Sequence, residues 1–311
     1  MPAASELAFA RIRITGKDRS KFLHNFCTNN IKALAVGVAV EAFFTDVKAR
    51  ILAHGYVLAF ESSHEIWMLP GDSASLAKHL SRYVITEDVT VIDLTPENDV
   101  MVMRESSELL ALPPFETLAA NNEGTSGGEL NDSITASTTL KFLRFSWASE
   151  RLIAVAGSGE QISALRLKVT AGAEVTASQL ELLRINERFP VIGRDMTNEN
   201  LAPEAERNSI AISYTKGCYL GQEPIARLDA MGHVNRALRV IEFTGACSSQ
   251  DVIGCSILTA ENTIAGTLTS AVQAGDRTIV GLAMLKVSST SQPVFCELAS
   301  GEKLSGQCRA M

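Results

Sequence analysis

The 311-residue chain is 46% hydrophobic and 20% charged, an ordinary globular balance with room for about two or three domains. Its net charge of −7 gives no ground for nucleic-acid or membrane association through bulk electrostatics. No apolar run approaches the roughly 20 residues of a spanning helix, and "MPAASELAFARIRITGKD" lacks a basic stretch followed by an apolar block, so the expected location is cytoplasmic.

In chain order, "LAFARIRITG" reads as a strand ending at Gly16, and "KDRSKFLHNFCTNNIKAL" as a helix with Asp18 at its N-cap. "VEAFFTDVKARILAHGYVLAF" gives two extended runs joined around Asp46 to Ala49, and "HEIWMLP" a further strand. Pro70-Gly71-Asp72 then precedes the helical "SASLAKHLSRYV". "DVTVIDLT" and "NDVMVMR" continue in strand character. Residues 120–139, polar and rich in Gly, Ser, Thr and Asn, read as a mobile surface loop. "LKFLRFSW" and "RLIAVAG" are strands, while "EQISALRLKV" and "ASQLELLRINERF" are helices, the second ending before Pro190. Helices between antiparallel strands make the body α+β. Beyond Asn235 short strands separated by turn residues predict a small closed barrel, which sets domains at 1–236 and 237–311.

No two of the six cysteines (Cys27, Cys218, Cys247, Cys255, Cys296, Cys308) form a C-x-x-C pair, and the five histidines show no ligand spacing with them. No metal site is expected from spacing, and five of the thiols read as ordinary buried residues. Cys218 differs because of its setting, "TKGCYLGQE". "AISY" before it reads as a strand entering a turn, Gly217 and Gly221 give the loop backbone freedom, and Pro224 suits the first turn of a helix through "PIARLDAM". Lys216 and the helix N-terminus would both favour a thiolate at Cys218, with Gln222 and Glu223 adding hydrogen-bonding groups. Packing alone explains the same residues about as well. A Cys–His pair with His233 is a weaker reading, since "GH" is accounted for by a turn.

"KGCYLGQE" resembles the K-x-C-x-x-G-Q-E signature of the YgfZ-type folate-binding proteins in the GcvT-like superfamily, whose members include mitochondrial proteins that help mature iron–sulfur enzymes. "GKDRSKFLHNFCTNNIKAL" is similar to the family's early segment, where Asn29 falls in a Thr-Asn pair. "TDVKARIL" is similar to its Lys-Gly-Arg-Ile-Leu run, with Ala49 where glycine is usual. "LLRINERFPVIGRD", "NLAPEA" and "ISYTKGCYLGQEPIARLDAMGHVNRAL" follow in the family's order, so the resemblance spans most of the chain.

The resemblance implies two interleaved α+β subdomains and a C-terminal β-barrel around a central cavity that holds tetrahydrofolate or another reduced folate. It implies Cys218 and Lys216 as reacting groups, a motif of Gly217, Tyr219, Gly221, Gln222, Glu223 and Arg227, and Asn186, Arg184 and Asn29 as folate contacts. Its partners would be iron–sulfur enzymes or their assembly factors. The related aminomethyltransferases of glycine cleavage carry aspartates where Ala53 and His54 stand here, and a glutamate where Asn186 stands. Aminomethyl transfer to tetrahydrofolate is therefore the alternative, and a non-catalytic adaptor for iron–sulfur clients a second.

Overall fold

The computed structural model describes residues 9–71, 73–97, 99–110, 125–130, 140–170, 172–232, 234–245, 247–290 and 293–309. The chain divides into two compact units. The first comprises Met1–Phe44, Ala53–Thr176 and Ile210–Tyr219, the second Thr45–Leu52, Ala177–Ser209 and Leu220–Met311. The barrel's unit thus gathers earlier segments and reaches back beyond the expected boundary near residue 236.

The first unit holds two sheets. One is built from β1 (Ala10–Thr15), β2 (Ala39–Thr45), β3 (Ile51–Ala59), β4 (Ser63–Met68) and β5 (Thr90–Asp93), in the order β2-β3-β4-β1-β5, with α1 (Arg19–Phe26) and α2 (Ser73–Ser81) in the connections. Alternation along β1 sends Ile12 and Ile14 into a core with Leu23, Phe44, Val57 and Ile66. Arg11 is buried on the opposite face, where Glu65 accepts its Nη2–H at 2.6 Å and Trp67 stacks beneath it. The other sheet contains β6 (Asp99–Arg104), β7 (Ser126–Leu130), β8 (Leu140–Trp147) and β9 (Glu150–Gly157), ordered β6-β9-β8-β7, with α3 (Ser107–Leu110) after β6 and α4 (Gly159–Lys168) after β9. Ser158 and Gln161 close a capping box that starts α4.

The second unit contains α5 (Ala177–Asn186). The one-turn α6 (Asn208–Ala211) joins the two units in the chain, and α7 (Gln222–Met231) follows in the second. Then come β10 (Arg236–Thr244), α8 (Ser249–Val252), β11 (Ser256–Leu258), β12 (Ile264–Gly275), β13 (Thr278–Lys286), β14 (Val294–Glu297) and β15 (Lys303–Cys308). These six strands close as β10-β13-β12-β11-β14-β15 around Ile241, Phe243, Leu268, Leu285 and Leu304, which bears out the α+β body with a terminal barrel. No described helix is long and apolar enough to cross a membrane.

Four local expectations need correction. The helix predicted through Leu34 stops at Phe26, because Cys27 turns to extended backbone and Thr28 and Asn29 spend their side chains on backbone groups instead. Asp18 sits at the N-cap position, but its carboxylate accepts from the amide of Asp88 rather than from the helix. "AISY" is no strand: Asn208–Ala211 is a helical turn and the chain runs on irregularly. Within the expected loop 120–139, Ser126–Leu130 pairs antiparallel with β8; the flanking residues 120–124 and 131–139 lie outside the described residues.

Candidate functional site

In the first unit the segment Ile210–Tyr219 is stitched to the chain around Thr28. Thr28 Oγ1 donates to Ala211 O at 2.6 Å and accepts from Phe43 N at 2.9 Å, while its carbonyl accepts from Ser213 N. Asn29 Nδ2 donates to Glu41 O and Ile210 O, and its Oδ1 accepts from Asn30 N. Asn29, expected as a ligand contact, thus has both amide N–H groups and one lone pair of Oδ1 engaged by backbone.

Lys216 completes the stitch. Its ammonium donates to the carbonyls of His24 (2.6 Å), Cys27 (2.7 Å) and Asn29 (2.7 Å), and it lies 4.9 Å from the centre of the Tyr219 ring. All three N–H bonds are used. Burial lowers its pKa, and burial likewise raises that of the Tyr219 phenol. Lys216 therefore serves as a buried strut, which corrects its assignment as a reacting group. Cys27 beneath it is fully buried, its thiol pushed up to about 11 by that burial. Cys218, two residues on, is exposed.

His24 was not singled out from the sequence. The residue as a whole is only 8% exposed, and Nδ1 accepts from the amides of Ile31 (3.3 Å) and Lys32 (3.2 Å). Nε2 lies 3.9 Å from where a Cβ on Gly217 would stand. Burial first, then Lys216 and Lys32, lower the imidazole pKa and keep it neutral. The only signal in the sequence was a histidine inside an otherwise apolar-phased helix, "FLHNF".

Sequence reasoning also missed a carboxylate beside Ala53 and His54. Both residues are buried, and Glu41 from β2 accepts from or bonds to His54 Nε2 at 2.8 Å, while the Phe43 ring stacks on the imidazole at 4.3 Å. A strand neighbour supplies the acid, so the linear motif could not reveal it.

In the second unit Gly221 has φ +84°, and an added Cβ would stand 2.5 Å from Asp46 O and 2.6 Å from Thr45 Oγ1. Only glycine fits there. Leu220 O accepts from Thr45 Oγ1 at 2.8 Å, and Ala49 holds φ +63° in the same turn, which explains why glycine suits that position in the family. Helix α7 opens at Gln222 with Glu223 and Pro224 in its first turn, as expected; Gln222 is half-buried, while Glu223 and Arg227 are exposed.

Arg184 is fully buried. Its Nε donates to Glu181 Oε2 at 2.7 Å, Nη1 to Asp195 Oδ2 at 2.8 Å and Phe189 O at 3.3 Å, and Nη2 to Ser270 Oγ at 2.7 Å and to Glu181 Oε1. Burial opposes its charge, but Asp195 and Glu181 more than offset that and leave its pKa raised. Asp195 in turn accepts from Val191 N and Thr269 Oγ1. With all five guanidinium N–H groups engaged, Arg184 joins α5 to β12 and is not a ligand contact. Asn186 is half-buried at the end of α5, with Oδ1 accepting from Arg309 Nη1 at 2.6 Å. His233 lies outside the described residues.

No family model matches the chain. It is 28% identical over 280 residues to the tRNA-modifying protein YgfZ of Cronobacter sakazakii, covering 86% of this chain and 79% of that one. It is 26% identical over 225 residues to a chloroplastic protein of Arabidopsis thaliana named as a transferase, covering 71% of this chain and 51% of the relative, so it spans about half that protein's length. Among solved structures, the glycine cleavage system aminomethyltransferase T of Bartonella henselae matches with a TM-score of 0.77 over 97% of this chain and 83% of its own, at 17% identity. That likeness carries the fold.

Proposed function

We propose that this chain, a YgfZ-type protein with the GcvT-like fold, binds a reduced folate and supports iron–sulfur enzymes, with Cys218 as its working thiol. The observation that carries this reading is an exposed cysteine two residues from a buried lysine strut that fixes its loop, within "KGCYLGQE". A packing cysteine has no need of that restraint. The name shared by the YgfZ relatives suggests tRNA-modifying enzymes as the client class. For the folate, Asn186 is the contact retained, because its Nδ2 can donate to a pterin ring oxygen or nitrogen while Oδ1 stays on Arg309.

Two measurements test the proposal. Cys218→Ser should fold normally yet fail to restore iron–sulfur enzyme activity in a strain deleted for the gene; full restoration overturns the role of the thiol. Titration calorimetry with tetrahydrofolate should show binding that raises the melting temperature, since a ligand selective for the folded state stabilises it by mass action. No heat and no shift at millimolar ligand removes the folate. Reconstitution with the other glycine-cleavage components should give no aminomethyl transfer.

A further inference from the structure

The barrel wall carries two cations side by side. Arg236 on β10 and Lys286 on β13 stand directly opposite each other in the antiparallel ladder, and both are exposed. Like charges opposed in this way, with Cβ atoms about 4.5–5.5 Å apart, repel each other. The chain relieves that repulsion only in part. Glu204 Oε1 lies 3.5 Å from Arg236 Nε, while its other oxygen accepts from Asn200 Nδ2 and Leu201 N. Lys286 Nζ donates to Ile264 O at 3.0 Å, which leaves two of its N–H groups for another acceptor. Both cations line a cleft of about 330 Å³, at the small end of the range for small-molecule sites. Thr267 and Met284, opposite each other on β12 and β13, line it too, together with Ile264, which is 60% exposed. None of the described residues lining the cleft is acidic.

We infer that this cleft binds a phosphate monoester of about mononucleotide size, its phosphate held between Arg236 and Lys286 and its apolar body against Met284 and Ile264. The arginine fork alone would saturate a planar carboxylate. A second, point-like cation on the neighbouring strand suits the three outward oxygens of a phosphate monoester instead, and the Thr267 hydroxyl adds a further donor. The net charge of −7 disfavours indiscriminate anion binding, so an anion that binds here is held by the local pair. All of these residues belong to the second unit, and the site goes beyond the folate and thiol reading without resting on it.

The experiment is titration calorimetry of the whole protein with adenosine monophosphate, inorganic phosphate, adenosine and succinate. The nucleotide should bind one to one at millimolar concentration or below, and inorganic phosphate should compete with it. Adenosine and succinate should show no binding at the same concentrations. Arg236→Gln and Lys286→Gln shed the charges and keep polar side chains; each should weaken the nucleotide about tenfold or more, the scale of one hydrogen bond to a charged group. Thr267→Glu should abolish binding by setting a carboxylate against the phosphate. Lys303→Gln removes an exposed cation on β15, outside the cleft, and should leave the affinity within twofold. Absence of heat at millimolar nucleotide overturns the inference. So does equal weakening by Lys303→Gln, which would mark a diffuse field and no site. Succinate binding as tightly as phosphate, or adenosine as tightly as its monophosphate, overturns the phosphate class. If Arg236→Gln lowers the melting temperature by releasing Glu204, Lys286→Gln and Thr267→Glu decide. Tetrahydrofolate carries carboxylates and no phosphate, so its displacing the nucleotide overturns the assignment, whereas its failure to bind at all removes only the folate reading.

Discussion

Lys216 Nζ lies 2.7 Å from the carbonyl of Asn29, a bond spanning 187 positions of sequence. Together with the carbonyls of His24 and Cys27 it turns a charged side chain into the fastener of the Cys218 loop. Lys216→Met keeps the length but strands three buried carbonyls, so it should cost about 2–4 kcal/mol in urea denaturation. The same substitution should also loosen the loop, read as faster hydrogen exchange at Ser213. A loss below about 1 kcal/mol would mean that water replaces the ammonium without difficulty.

The Arg184 cluster should behave as an all-or-none support. Arg184→Leu strips buried Asp195 of its ion pair and leaves Glu181 only the half-exposed Arg194, and should cost about 3–5 kcal/mol. If Arg184 instead touched the folate, the variant would lose ligand affinity at near-parental stability. Thermal melts with and without tetrahydrofolate separate the two.

Gly221→Ala should be severe, because φ +84° and a carbonyl 2.5 Å from the new Cβ act together; a loss of at least about 2 kcal/mol is expected. Ala49→Gly, by contrast, relieves a left-handed alanine and should be neutral or stabilising by up to about 1 kcal/mol. The pair of melting curves checks both signs.

Acid should weaken the first unit through His64. Burial, then Arg19, hold its pKa down from 6.5 to about 4, and its Nδ1 is buried with no partner among the described residues. The unfolded chain therefore takes up a proton that the folded chain refuses. Stability is fully present above about pH 6.5 and falls as pH drops toward 4, by an order of 1–3 kcal/mol after allowance for solvent screening. His64→Asn should flatten that slope when urea midpoints are compared across pH 4 to 7.

Native-state alkylation should find Cys218 fast, while Cys27 and Cys296, both buried, react only on unfolding. Burial pushes the Cys296 thiol up to about 12 and that of Cys27 to about 11. Mass-labelled iodoacetamide before and after denaturation reads this directly.

By itself the sequence determined what repeats locally. Alternation in "ARIRIT" and in the closely spaced strands after Asn235 marked the sheet and the barrel, because a pleat writes its two faces into adjacent residues. The glycines, the lysine and the cysteine of "KGCYLGQE" marked a loop that needed explaining. What the tertiary structure alone decided was how each polar group is satisfied. Lys216 read as a reacting group, Asn29 as a ligand contact, and Arg184 equally as a ligand contact or a salt bridge, until their partners were known, and those partners lie 187, 181 and 86 positions away. A charge carries no record in sequence of which distant carbonyl or hydroxyl will meet it in the dry interior, where an unmet group is too costly to keep. The same holds for His24 beside Gly217 and for Glu41 on His54, whose meaning arises only from strands and turns brought together.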